Sequence, residues 1–175
     1  SWVTGIDGPE QRERRIEVMA PGFFRPSLTA ALLRGHSYTV DGCGGAALWS
    51  PPDVPMFREE EGMALGIGVA EHCGPDAVQR LMALGEMVGS HHPRDVAHFY
   101  LFLLGAADQG RGVGAAVIRP VLDRCDLDGQ PAYQESSSER NLSFYARHGF
   151  RVLWEDRPAA DGPVFRGMWR DPQPT

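Results

Sequence analysis

The residues Gln109-Gly110-Arg111-Gly112-Val113-Gly114-Ala115 have the types and spacing that do chemistry most directly. They follow an apolar run from Ala97 to Ala107 and open an amphipathic one from Val113 to Leu127, which reads as strand, glycine turn and helix. Such a turn points several backbone N–H groups and the positive end of a helix at one spot, so it binds phosphate without side-chain charge. Three glycine patterns work this way. A Walker loop needs a lysine after its last glycine, and all 17 basic residues here are arginine, which excludes it. The dinucleotide pattern G-x-G-x-x-G/A is matched by Gly110, Gly112 and Ala115, with Glu135 where a ribose-binding acid would sit. The chain beyond Glu135 has room for only one helix and two strands, too little for a doubly wound sheet.

The third pattern is Q-x-x-G-x-G/A, matched by Gln109, Gly112 and Gly114. Downstream, Asn141-Leu142-Ser143-Phe144-Tyr145-Ala146-Arg147-His148-Gly149-Phe150 reads N-x-x-x-Y-x-x-x-G-F. The two motifs, in this order and separated by a helix and a strand, resemble those of the GNAT superfamily of acetyl-CoA-dependent N-acetyltransferases. More narrowly, Asp7 to Pro51 and Pro93 to the C-terminus resemble the puromycin N-acetyltransferase branch. Ala47-Leu48-Trp49-Ser50-Pro51-Pro52 is similar to that branch's A-x-W-x-x-P, and Pro131 to Tyr145 to its P-A-x-x-E-T-S-x-x-R-N-x-x-F-Y. The spacer Gly105-Ala106-Ala107-Asp108-Gln109 is about two residues shorter than the branch's V-x-P-x-x-Q spacing.

The resemblance implies an α/β (α+β) fold. It has a central mixed, mostly antiparallel sheet flanked by helices and splayed between what the family counts as its fourth and fifth strands. The chain begins at what looks like the family's second helix, so the usual first strand and helix are expected to be missing. One domain over residues 1–175 is expected, with 1–96 as the acceptor-side half and 97–175 as the acetyl-CoA-binding half.

Acetyl transfer from a thioester to an amine needs a neutral amine, a held carbonyl, a stabilised oxyanion and a proton for the departing thiolate. By resemblance the amine attacks directly in a ternary complex. Tyr145 is the expected acid, since a phenol with an ordinary pKa near 10 protonates a thiolate without being ionised at rest. Asn141, one turn earlier on the same helix face, is expected to bind the pantetheine amides. Backbone groups of Leu104, Gly105 and Ala106 should hold the thioester and pantetheine. Those of Gln109 to Ala115, with the Arg111 side chain, should hold the phosphates.

Glu135 ends a strand at the edge of the opened cleft, where a carboxylate could bind a protonated amine and take its proton; an ion pair with Arg140 or a helix cap is the alternative. His98 is a weaker rival base, more simply a packed histidine. Phe23, Phe24, Trp49 and Tyr100 are candidates for an aromatic acceptor pocket, each more simply read as core.

The expected acceptor is a small-molecule amine, an antibiotic or aminonucleoside such as puromycin among them, which would make the protein a resistance enzyme. Two other readings are a protein acetyltransferase, whose basic substrate tail the acidic run Glu59-Glu60-Glu61 would attract, and a non-catalytic acyl-CoA sensor. The net charge of -6 and the lack of a basic run argue against nucleic acid and suit a cationic amine. Cys43, Cys73 and Cys125 form no C-x-x-C pair, so no zinc site or other metal and no disulfide framework is expected, and a reducing cytoplasm fits. No stretch approaches the roughly 20 apolar residues of a membrane span, and no signal peptide is evident. A monomer or homodimer is expected.

The elements that must position these groups follow from local chemistry. Asp7-Gly8-Pro9 starts a helix to Met19, Pro21-Gly22 interrupts it, and Phe23 to Arg34 continues with Phe24, Leu28, Ala31 and Leu32 as the inward side. His36 to Val40 and Gly45 to Trp49 read as a hairpin about Asp41-Gly42. Pro51 to Ala70 reads as loop and half-formed helix, and Gly74-Pro75-Asp76 starts a helix to Val88. His91-His92 then lie in a solvated turn from Gly89 to Arg94, since adjacent histidines do not share a face for a metal. Ala97 to Leu104 is the central strand. Val113, Ala116, Val117, Val121 and Cys125 face inward on the next helix, which Pro120 should kink. Gln130 to Ser136 is a strand, a helix runs from about Ser138 to Gly149, and Phe150 to Trp154 with Val164 to Trp169 close the chain as a hairpin.

Overall fold

The computed structural model describes residues 1–107 and 110–174. The chain divides into two compact units, cut differently from halves at residue 96: one comprises residues 1–30, 57–92 and 156–164, the other 31–56, 93–155 and 165–175.

The second unit is built on the expected mixed sheet. Its strands are β1 (His36–Thr39), β2 (Gly45–Ser50), β3 (Phe99–Ala106), β4 (Ala132–Ser136), β5 (Arg151–Asp156) and β6 (Phe165–Arg170), in the spatial order β1-β2-β3-β4-β6-β5. β1 to β3 pair antiparallel, as do β4 and β6, whereas β3 and β4 run parallel. That parallel register covers only Phe99↔Ala132, Tyr100↔Tyr133 and Leu101↔Gln134, although β3 continues to Ala106. The sheet is splayed where the resemblance implied.

Two helices, α5 (Val113–Asp128) and α6 (Glu139–Arg147), supply the rest of this unit. Strand alternation puts Phe99, Leu101, Ala132 and Met168 on one sheet face, where they pack with Val117, Ile118, Val121 and Cys125 of α5. His98, Tyr100, Tyr133, Glu135 and Trp169 take the other face. Ala116, expected inward, is exposed, and Ile118 and Leu122 are buried instead. Gly45 lets α5 seat against the sheet, because a Cβ there would overlap Val113. The β1–β2 hairpin turns through Asp41–Cys43 rather than a two-residue Asp-Gly loop, with Gly42 and Cys43 both at positive φ.

The first unit is helical: α1 (Arg12–Met19), the start of α2 (Arg25–Leu32), α3 (Glu59–Cys73) and α4 (Pro75–His91). Pro21-Gly22 does not break the chain. A π-helical turn over Ala20–Phe24 carries α1 into α2, its wider loop accommodating the missing Pro21 N–H. The apolar side expected of α2 is corrected in part: Ala31 is buried, joined by Ser27 and Ala30, whereas Phe24, Leu28 and Leu32 are about half exposed. Small residues there replace a stripe of large ones.

The expected loop after Pro51 is largely α3, fifteen residues long. Glu59, Glu60 and Glu61 form its acidic first turn, and Glu61 accepts the Arg58 backbone N–H at 2.7 Å. Gly68 meets the π-turn backbone: a Cβ on it would come 2.8 Å from the Gly22 carbonyl oxygen. Leu65, Val69 and Ala77 are this unit's core, with Phe23 packed on it. Beyond Val88, α4 runs on to His91, which pairs with Asp156 at 2.8 Å.

Candidate functional site

Between the open end of β3, the N-terminus of α5 and α6 lies a cavity of about 630 Å³. Leu104, Gly105 and Ala106 form its β3 wall, and Gly110 and Gly112 to Ala115 its turn. The turn is built for backbone approach. Gly110 and Gly112 have φ of 79° and 76°, and the left-handed Gly112 caps α5 at its start. The first intrahelical donor is Ala116 N–H, bonded to the Gly112 carbonyl at 2.9 Å, so the N–H groups of Val113, Gly114 and Ala115 have no acceptor within the helix. Gly114 brings the turn against α6: a Cβ would touch the Phe144 ring at 3.4 Å. Gln109 lies outside the described residues, and the exposed Arg111 is not among the cavity's lining residues.

Asn141 lines the α6 wall, joined by Arg140, Phe144, Arg147 and His148. Sequence reasoning missed these four, although Arg140, Phe144 and His148 recur every four residues and Asn141, Phe144 and Arg147 every three, as one helix face does. The two arginines give the cavity the positive charge that phosphates attract. His148 is held by Nδ1 to the Phe144 carbonyl at 2.8 Å and by ring contact with Phe144 at 4.5 Å.

Tyr145 is 5% exposed, beside Phe144 and Phe150 in the core, and does not itself line the cavity. Burial pushes its phenol up to about 12, so it carries its proton at neutral pH. Glu135 sits where the β3–β4 seam opens and accepts a hydrogen bond from Tyr100 Oη at 2.8 Å. His98 is a packed histidine: its Nδ1 donates to the Val96 carbonyl at 2.7 Å and its ring abuts Tyr133 and Trp169. Trp49 is 0% exposed and belongs to the core. Phe23 is packed in the first unit, its ring edge-on to the half-exposed Phe24 at 5.4 Å. Among the described residues no cluster of His, Cys, Asp or Glu is arranged to hold a metal, and no helix is long and apolar enough to cross a membrane.

A parallel seam that opens beside a glycine-capped helix defines a class of protein that residues 77–170 identify, since they match the acetyltransferase (GNAT) domain family. The chain belongs to that family, whose members are acyltransferases that use acetyl-CoA. It is 37% identical over 59 residues to an uncharacterized N-acetyltransferase of Schizosaccharomyces pombe, covering 33% of this chain and 24% of that protein's length. Two solved structures share the fold. One is described as histone acetyltransferase HPA2 and related acetyltransferase from Corynebacterium glutamicum (18% identity, 97% of this chain, 95% of that one, TM-score 0.55). The other is the Drosophila melanogaster polyamine N-acetyltransferase that forms N-acetylagmatine (14% identity, 97% and 86%, TM-score 0.58).

Proposed function

We propose that the chain transfers an acetyl group from acetyl-CoA to the primary amine of a small, cationic molecule, in a ternary complex and without a covalent enzyme intermediate. The observation that carries this reading is the cavity itself, where donors at the start of α5 and the arginines of α6 face the end of β3 that runs on beyond its register with β4. The α5 N–H groups and Arg140 and Arg147 bind the phosphates, and Asn141 binds the pantetheine. A backbone N–H at Leu104 or Gly105 stabilises the oxyanion. Glu135 takes the proton of the acceptor ammonium, the amine nitrogen bonds to the thioester carbon, the C–S bond breaks, and Tyr145 gives its proton to the thiolate.

The acidic balance of the chain favours a cationic acceptor, in keeping with the polyamine substrate of the Drosophila fold neighbour. An aminonucleoside such as puromycin is a second acceptor to try, on the motif resemblance. The acidic run that would attract a basic protein tail is the first turn of α3, where Glu61 caps the helix. CoA release assayed over polyamines, arylalkylamines, puromycin and basic peptides tests the reading. Turnover on a small amine, strongly reduced in Tyr145→Phe with acetyl-CoA affinity kept, is expected; turnover on peptides alone would refute the small-molecule acceptor.

A further inference from the structure

The two edges of the sheet differ. β1 is four residues long, and its His36, Ser37 and Tyr38 are half-buried. β5 is six residues long and stands last in the order of strands, with β6 on its inner side. All of its residues are exposed except the half-buried Trp154, and Val152 and Leu153 are each 43% exposed. A strand edge carries a row of outward N–H and C=O groups, which natural sheets guard with proline, charge, a bulge or a covering element. β5 has no proline, and its exposure leaves no covering element among the described residues. Its guard is charge alone, and that charge is complementary to itself.

Successive side chains of β5 turn to opposite faces of the sheet. Trp154 Nε1 donates to Tyr133 Oη at 3.1 Å on one face, and Glu155 accepts from Arg166 Nε at 2.7 Å on the other. By alternation Arg151 and Leu153 share the face of Glu155, and Val152 that of Trp154. A second β5 running antiparallel across a two-fold axis through Leu153 sets Leu153 opposite Leu153, Val152 opposite Trp154, and Arg151 opposite Glu155 twice over. Each opposed pair lies on one face, and every charge meets its opposite. An axis through Trp154 would set Val152 against Asp156 and Arg151 against Arg157, and one through Val152 would set Arg151 against Leu153. Charge and apolarity therefore select one register. The contacts these charges make within the chain do not use them up. Arg151 meets Asp171 at 3.6 Å and stays 60% exposed, and Glu155 stays 54% exposed beside Arg166.

We infer that β5 is a self-docking edge, on which a second copy of this chain pairs so that one sheet runs through both copies. The partner is a copy because the complement of Arg151, Val152, Trp154 and Glu155 is the same strand reversed. One strand pair is smaller than a standard interface of about 1,600 Å², so the dimer is weak and depends on concentration. No residue of β5 lines the cavity between β3, α5 and α6, and the inference stands apart from the acetyl-transfer reading.

Sedimentation velocity of the full chain over roughly 5–500 µM tests it, since that range brackets a weak dimer. The mass should move from one chain toward two as concentration rises. Leu153→Arg, which sets two cations face to face on the axis, should keep the chain monomeric throughout. Arg151→Glu and Glu155→Arg each place like charges opposite and should each weaken self-association roughly tenfold or more. Mixing those two variants should restore the dimer, because one strand then carries acids at both positions and the other bases. Circular dichroism checks that each variant is native; Leu153→Arg and Arg151→Glu, at exposed positions, carry the test should Glu155→Arg fail to fold. A wild-type chain that stays monomeric to the highest concentration overturns the inference. So does a dimer that survives Leu153→Arg, or a pair of native charge variants that do not associate on mixing.

Discussion

Replacing Gly112 by alanine separates backbone chemistry at the α5 turn from mere stability, because Gly129 at the far end of the same helix is its matched control. Gly112 and Gly129 have φ of 76° and 67°, and among the described residues no atom lies within 4 Å of a Cβ added at either. Alanine at either site therefore costs only the left-handed strain, about 1–2 kcal/mol. For a chain of this size that is a fall in Tm of roughly 2–8 °C. Gly129 stands roughly 24 Å down the helix axis from the cavity. At Gly112 the methyl stands where a phosphate must approach the exposed N–H groups. Losing one charge-assisted hydrogen bond of about 1.5–3 kcal/mol would weaken acetyl-CoA by roughly 10- to 100-fold. Calorimetric titration and thermal denaturation of both variants check this. Equal Tm losses with weakened binding only in Gly112→Ala are expected. Unchanged affinity in Gly112→Ala, or equal weakening in Gly129→Ala, would refute the cradle.

Stability should fall steeply in alkali. The unfolded chain loses its tyrosine protons near pH 10, whereas half-buried Tyr100 and buried Tyr133 and Tyr145 hold theirs higher. Stability is thus whole below about pH 10 and lost as pH rises toward 12, by up to about 1.4 kcal/mol per pH unit for each tyrosine. Urea midpoints at pH 9 and pH 11 read it, and equal midpoints would contradict the burial. At the acid end, Asp126 grips Arg170 through two bonds of 2.7 Å and accepts Gln173 N–H at 2.7 Å. Those hydrogen bonds, Arg170's first, hold its carboxyl below the ordinary range, so its contribution is present above about pH 4 and lost as pH falls through the lowered value. Asp126→Asn leaves the 4% exposed Arg170 without its counter-charge and should cost about 3 kcal/mol, seen as a Tm loss of roughly 6–12 °C that shrinks in acid.

What the sequence made legible was chemistry written in backbone-dependent residue types. Gly110, Gly112 and Gly149 all have the positive φ that such turns require, and the run from Ala97 became the central strand. The same residue type misled where its reason is tertiary. With glycines at 62, 66 and 68 the stretch read as loop and half-formed helix, yet all three lie within the fifteen-residue α3, and Gly68 is there to pass close to Gly22. The inward face of α2 was misread for a related reason: Ser27 and Ala30 are buried there beside Ala31, while the large Phe24, Leu28 and Leu32 that periodicity named are not. Glu135 was visible as a carboxylate at a strand end, but its partners were not. Tyr100 meets it only through the β3–β4 register, which one strand's alternation does not specify.

The central claim is that the β3–α5–α6 cavity holds acetyl-CoA for attack by an amine. Titration of the full chain with acetyl-CoA, followed in the same cell by a series of cationic amines, tests it most directly. Saturable binding in roughly the micromolar range, then heat and free CoA on addition of one amine, is the predicted result. Absence of acetyl-CoA binding would contradict it.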